Sequence, residues 1–297
     1  VSGTTAIEWT EATWNPVTGC DKISPGCDHC YALALAKRLK AMGQPKYQAD
    51  GNPATSGPGF AVTVHEEAVW APLGWRRPRT VFVNSMSDVA HPRVPREFLA
   101  RIWAAMALAH RHTFQVLTKR PNRLAALLAS GGFARDVAWA AARTPYGLVP
   151  PEDAPGWAAR EGLWRPPWPL PNVHVGTSIE NDGYAWRAGF LRRTPAALRF
   201  LSLEPLLGPV PSLDLDGIGW VIAGGESGPG RRPPEAAWVR GIRDQCTAAG
   251  VPFFFKQWGG PTPKAGGRLL DGRTWDQVPG IPAACPTPHT ATEGNPS

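Results

Sequence analysis

No apolar run in this chain is long enough to cross a membrane as a helix, so a helical membrane protein is not expected. The opening stretch, VSGTTAIEWTEATW, lacks a basic segment followed by an apolar one. A secretory signal is therefore not expected, and a cytoplasmic location is. Cysteine is scarce: five in 297 residues, an odd number, with three of them inside eleven positions. A disulfide framework does not fit that pattern. In a reducing compartment a clustered trio points to a metal site. The weak hydrophobicity of a disordered chain is missing too, because hydrophobic residues make up 43% and can bury a full core. No internal repeat is visible beyond the strand–helix rhythm described next.

Several short apolar runs rich in β-branched and aromatic residues read as buried strands. They are AVTVHEE (61–67), TVFVNSMSD (80–88), FQVLTKRP (114–121), VHVGTSIEN (173–181), RFLSLEP (199–205), WVIAGGESG (220–228) and FFFKQWGG (253–260), with TWNPVTG (13–19) taken as a first strand. Helical patterns lie between many of them: YALALAKRLKAMG, PREFLARIWAAMALAHRH, PNRLAALLAS, AWRAGFLRR and PEAAWVRGIRDQCTAAG, the last with Gly250 as its stop. Strand, polar tip, helix, strand is the βα unit of a parallel sheet. Up to eight such units predict an α/β fold, a (β/α) barrel, complete or partial. The expected layout is one barrel domain over residues 1–281, with insertions at 43–60 and 132–171, the second irregular, and a flexible tail at 282–297. Asp271-Gly272 reads as a hairpin turn.

In such barrels chemistry sits at the C-terminal ends of the strands. Those ends carry Asn84, Ser85, Ser87, Asp88, Thr118, Lys119, Arg120, Thr177, Ser178, Glu180, Asn181, Glu204, Glu226, Ser227, Lys256 and Gln257. Any one of them is equally well a turn former or helix cap. Seven polar tips in succession predict a polar pocket.

The stretch TGCDKISPGCDHCYA carries Cys20, Cys27 and Cys30. A structural zinc site wants four ligands, commonly in paired knuckles, and only Cys27-x-x-Cys30 has knuckle spacing. His29 or His65 can supply a nitrogen, so zinc stays open. A cubane iron–sulfur cluster fits better: three thiolates leave one iron free to bind a small molecule. Gly19, Pro25 and Gly26 let the loop wrap closely, and Cys30 opens a helix, whose N-terminus favours an anionic group.

A three-cysteine loop after the first strand of a (β/α) barrel, with a ring just before the third cysteine, resembles the radical S-adenosylmethionine (radical SAM) superfamily. The usual spacing there is three residues and then two; here it is six and then two, and His29 holds the aromatic position. More narrowly, NPVTGCDKISPGCDHCYA, VFVNSMSDVAHP, VLTKRP, GTSIEN, LSLEPLLG, VIAGGESG, FFFKQWGG and LDGRTWDQVP resemble a phage-associated three-cysteine-motif family of unknown function, over about residues 5 to 280.

That resemblance implies that Cys20, Cys27 and Cys30 hold a [4Fe–4S] cluster whose open iron chelates S-adenosyl-L-methionine. It implies an enzyme of lyase or oxidoreductase type that makes a 5′-deoxyadenosyl radical, and an electron donor such as a flavodoxin or ferredoxin. The cofactor bed would be Ser85, Ser87 and Asp88 for the methionyl ammonium, Lys119 and Arg120 for its carboxylate or a substrate phosphate, and Glu180 and Asn181 for the ribose. Thr177, Glu204 and Lys256 are further pocket candidates. Gly224, Gly225 and Glu226 fall too late in the chain for the superfamily's usual ammonium-binding segment, and their glycines suit close backbone approach to a ligand.

Lys and Arg total 31 against 24 Asp and Glu, and the sequence pI is near 9.4. With fourteen Trp, a DNA or nucleotide substrate is the first expectation, in modification or repair. Two others remain: a nucleic-acid-binding protein with a purely structural iron–sulfur or zinc site, and a radical enzyme acting on a peptide or small metabolite.

Overall fold

The structure is a computed structural model that describes residues 5, 7–145, 166–262 and 264–280. Seven strands form one parallel sheet: β1 (Ala12–Trp14), β4 (Thr80–Val83), β5 (Thr113–Thr118), β6 (Val173–Ser178), β7 (Leu198–Leu203), β8 (Trp220–Gly224) and β9 (Phe253–Gln257). Their order in the sheet is their order in the chain. Every crossover therefore runs the same way, and right-handed crossovers of one direction place the helices on one face only. β1 and β9 do not pair with each other, so the sheet is a half-barrel and not a closed ring.

Up to eight βα units are expected from the sequence, and the difference from the seven-stranded sheet is the AVTVHEE segment. Only Thr63–Val64 of it is extended, as β3, and it pairs antiparallel with β2 (Val17–Thr18) in a separate two-stranded ladder. A four-residue apolar run carries too little pattern to say which partner it finds. The segment expected to be irregular from residue 132 also differs: Gly131–Ala141 is a helix that buries Phe133, Val137, Ala140 and Ala141. Residues 146–165 of that insertion, and the tail expected at 282–297, lie outside the described residues.

Alternation along the strands sorts the core into two layers. Val81, Val83, Phe114, Val116, Val173, Val175, Leu201, Leu203, Val221, Phe253 and Phe255 pack with the helices Arg96–Leu108, Pro121–Leu128, Gly131–Ala141 and Ala236–Ala249. Phe82, Phe200, Trp220, Ile222 and Phe254 point the other way and close around Trp9. Trp9 lies edge-on to Phe82 and Trp220, with centroids 4.9 and 6.3 Å apart. Such pairs add about 0.5–1.5 kcal/mol each to the burial of their area. The concave side of the sheet is thus filled from below by aromatic rings.

The long helix Ala236–Ala249 ends where Gly250 takes φ 66°, a left-handed residue that stops a helix at no cost to glycine. Asp271 and Gly272 have φ 54° and 76°, and Leu270 and Arg273 bridge across them, which is the expected hairpin turn. Among the described residues no helix is long and apolar enough to cross a membrane.

Candidate functional site

The cysteine loop lies on the C-terminal ends of the strands. Gly19 bridges to Ser87 in parallel fashion, which ties the loop's start to the tip of β4. Gly19 has φ 85°, and a Cβ there would sit 2.0 Å from the Ala61 carbonyl oxygen. Only glycine fits. A short 3₁₀ turn, Pro25–Cys27, leads to Cys30, the N-cap of the helix Tyr31–Ala41. Cys20, Cys27 and Cys30 are free thiols of intermediate exposure. Cys20 and Cys30 pack on one small cluster of Ala32, Ala36, Phe60 and Met86, and each lies within electrostatic range of Cys27.

The sulfurs are surrounded by donors. The Arg120 guanidinium reaches Cys20 Sγ at 3.3 Å, and the backbone N–H groups of Ala32 and Leu33 point at the Cys30 sulfur. Burial nevertheless pushes the Cys20 thiol up to about 12, with Asp88 adding to the rise and Arg120 opposing it. Cys30 is raised by burial too, against its helix N–H groups. Such thiols hold their protons in water and release them to a cation that replaces the lost solvation. Among the described residues no three His, Cys, Asp or Glu side chains converge closely enough to hold a single metal ion. A cubane spreads its thiolates over three separate irons and asks for no such convergence.

The strand tips stand around this loop, and most of their polar atoms are engaged with protein. Asp88, at the tip of β4, is 6% exposed. It accepts from Ala90 N (2.9 Å), Thr118 Oγ1 (2.6 Å), Lys119 N (3.0 Å) and Arg120 Nη1 (3.0 Å). It therefore aims Arg120 at Cys20. Ser87 donates to the Val17 carbonyl at 2.9 Å, and Ser85 exchanges hydrogen bonds with Asn15. Thr177 donates to the neighbouring strand at Thr118 O. Asn181 caps a short turn by accepting from Gly183 N at 3.0 Å.

Two carboxylates hold the loop from opposite sides. Glu180, whose side chain is wholly buried, receives Lys119 Nζ at 2.5 Å, Arg187 Nη1 at 2.8 Å and Ser24 Oγ at 2.7 Å. Burial alone would raise its pKa, but Lys119, Arg187 and Ser24 outweigh burial and hold it below the ordinary glutamate range. Glu226 pairs with His29 Nδ1 at 2.9 Å and with Arg232 through its backbone N (2.8 Å), Nε (3.0 Å) and Nη2 (2.6 Å). Against burial, Arg232 and His29 hold it down to about 2. Arg232 also donates to the Pro25 carbonyl at 2.8 Å.

Glu204 and Lys256 form an ion pair of 2.6 Å. Glu204 directly follows β7 and Lys256 lies on β9, and they meet over Gly224 of the intervening β8, where a Cβ would lie 3.5 Å from both side chains. Gly225 has a harder constraint: a Cβ there would sit 2.1 Å from the Trp258 carbonyl oxygen. The close approach these glycines make here is to the Trp258 backbone, just past β9, and to the ion pair. Tyr31, 57% exposed, donates to the Ser85 carbonyl at 2.5 Å and lies within electrostatic range of Cys30 and Glu204. Asn84, at the tip of β4, has φ 62°, and both its buried amide atoms lack a hydrogen-bond partner.

A cavity of 780 Å³ lined by Leu213, Asp216, Gly217, Gln245, Val251 and Pro252 lies at the other end of the sheet, where β8 and β9 begin. It contains none of the expected site residues. Ser24 and Arg187 carry no local signature in the sequence, and Arg232 reads there only as half of an Arg pair.

A family model described as a protein of unknown function (DUF5131) matches residues 4–279. No curated protein and no solved structure matches the chain.

Proposed function

The chain belongs to the DUF5131 family, and from that premise we propose that it is a radical SAM enzyme with a radical SAM-like barrel and a [4Fe–4S] cluster on Cys20, Cys27 and Cys30. The observation that carries the reading is the donor set: three free, partly exposed thiols on the C-terminal ends of a parallel half-barrel. Helix N–H groups and a guanidinium face two of the three sulfurs. Backbone amides and cations around sulfur suit an anionic thiolate cluster.

When bound, the cluster would supply one electron for cleaving S-adenosyl-L-methionine to methionine and a 5′-deoxyadenosyl radical. The chain's own residues orient and shield. Arg120, held by Asp88, neutralises charge beside Cys20. The first turn of the helix Tyr31–Ala41 does the same for Cys30. The Glu204–Lys256 pair and Tyr31 remain available to contact a ligand, while the aromatic floor excludes water from below. The net charge of +7 and the exposed Trp139 and Trp186, the first stacked with Arg143 at 4.0 Å, favour DNA or a nucleotide as substrate.

The test is anaerobic reconstitution followed by S-adenosyl-L-methionine and a reductant. The expected result is about four iron per chain and release of 5′-deoxyadenosine, both lost in Cys20→Ser, Cys27→Ser and Cys30→Ser. Stoichiometric zinc without cofactor cleavage would refute the reading in favour of a structural metal site. For the substrate, DNA binding should weaken linearly on a log–log plot against salt. No binding at low salt would point to a peptide or small metabolite.

A further inference from the structure

The spacing between Cys20 and Cys27 is three residues longer than the resembling superfamily's, and the added length is anchored almost residue by residue. Asp21 accepts from Thr55 Oγ1 (2.6 Å) and Arg93 Nη2 (2.5 Å) and pairs with His91 Nε2 (2.9 Å). Its carbonyl receives Arg120 Nη2 at 2.9 Å. Lys22 N donates to Thr55 O at 2.8 Å. Ser24 is held by Glu180, the Pro25 carbonyl by Arg232, and His29 by Glu226. Gly26 lies directly on Glu180: a Cβ there would meet Glu180 Cγ at 2.6 Å and Oε1 at 2.7 Å.

We propose that Glu180 and Glu226 are positioning residues that hold the 20–30 loop in its ligand-presenting shape before any metal arrives, so that the three-thiol site is preformed. The proposal rests on the reading of the three cysteines as metal ligands, but its first measurement does not. Glu180 is a buried carboxylate with two cations, and its remaining capacity goes to Ser24. Glu226 takes three donors from Arg232 and then His29. Each carboxylate is fixed by its own cations and therefore presents a rigid contact to the loop. The two contacts fall on either side of Cys27, Ser24 before it and His29 after it.

The experiment measures amide hydrogen exchange in the metal-free full-length protein, then iron affinity on reconstitution. The wild-type loop should be protected over residues 24–29. Ser24→Ala, which leaves the Lys119–Glu180–Arg187 group intact, and Glu226→Gln should each speed exchange there about tenfold, since a hydrogen bond to a charged group is worth roughly that factor. In Ser24→Ala the seven strands should keep their protection, and in Glu226→Gln they should lose no more than the fall in global stability, which separates loop release from unfolding. Apparent iron affinity should fall by a similar factor, and Ser24→Thr, which restores the hydroxyl, should recover both.

An unprotected wild-type loop would overturn the proposal. So would Ser24→Ala and Glu226→Gln variants with wild-type exchange and iron affinity. A protected loop in a protein that takes up no iron would instead refute the metal-ligand reading and leave the anchoring in place.

Discussion

Replacing Glu226 by Gln should flatten part of the protein's acid unfolding. Glu226 is held at about 2, against an ordinary glutamate value of 4.5. At about 1.4 kcal/mol per pKa unit, that displacement corresponds to about 3 kcal/mol of folding free energy. The Glu226 side chain is only 5% exposed, but that of Arg232, its main partner, is 36% exposed. Solvent screening therefore reduces the expected contribution to about 2 kcal/mol. The sign follows from the direction. A carboxylate whose pKa is lower in the folded state stabilises the fold above its unfolded value and loses that stabilisation as pH falls toward the folded value. The wild type should thus exceed Glu226→Gln by about 2 kcal/mol at pH 5.5, and the gap should close toward pH 2. Urea denaturation of both proteins at several pH values across that window measures it. A gap that does not change with pH would show that the Arg232 and His29 contacts do not set the ionisation of Glu226, and would refute the reasoning.

Two adjacent glycines should respond unequally to alanine. Gly224→Ala meets side chains at ordinary contact distance and should change stability by under about 0.5 kcal/mol, whereas Gly225→Ala meets a carbonyl oxygen and should cost about 3 kcal/mol, both read by thermal melting. Asp88→Ala removes the acceptor of four hydrogen bonds and leaves the Arg120 guanidinium half-paired, so a loss of about 3–5 kcal/mol is expected; at about 2–4 °C per kcal/mol for a chain near this size, the melting temperature should fall by at least about 6 °C. A double-mutant cycle of Glu204→Gln and Lys256→Met should give a coupling of about 1 kcal/mol, because both side chains keep some solvent access. A coupling near zero would mean that the pair does not form in solution.

Much of the fold is legible in the chain because strands buried on both faces write dense apolar runs, and six of the seven sheet strands fall on such runs, while the expected 13–19 strand splits between β1 (Ala12–Trp14) and β2 (Val17–Thr18). AVTVHEE reads the same way and is not in the sheet. Its neighbours decide: His65 N donates to Pro16 O at 2.8 Å, which draws the segment to the two-residue strand Val17–Thr18 instead. The helix Gly131–Ala141 shows the converse. Its two leading glycines and its place beside a Pro-rich insertion argue for loop, yet Phe133, Val137, Ala140 and Ala141 fall on one face at helical spacing, and burial of that face overrides propensity. At the site, the three cysteines and the polar tips are plain in the sequence. What the tips hold is not. Ser24 meets Glu180 across 156 residues and His29 meets Glu226 across 197, and no local pattern connects positions so far apart.

Those separations bear on when the site comes into being. The three cysteines are synthesised well before the groups that hold them, and Arg232, which grips Pro25 across 207 residues, comes long after. On a ribosome making some ten residues each second, the loop waits on the order of twenty seconds for its last anchor. A chain interrupted before β8 would carry all three thiols without the frame that shapes them. On the proposed reading of the cysteines as metal ligands, loading would be deferred until the sheet is nearly complete.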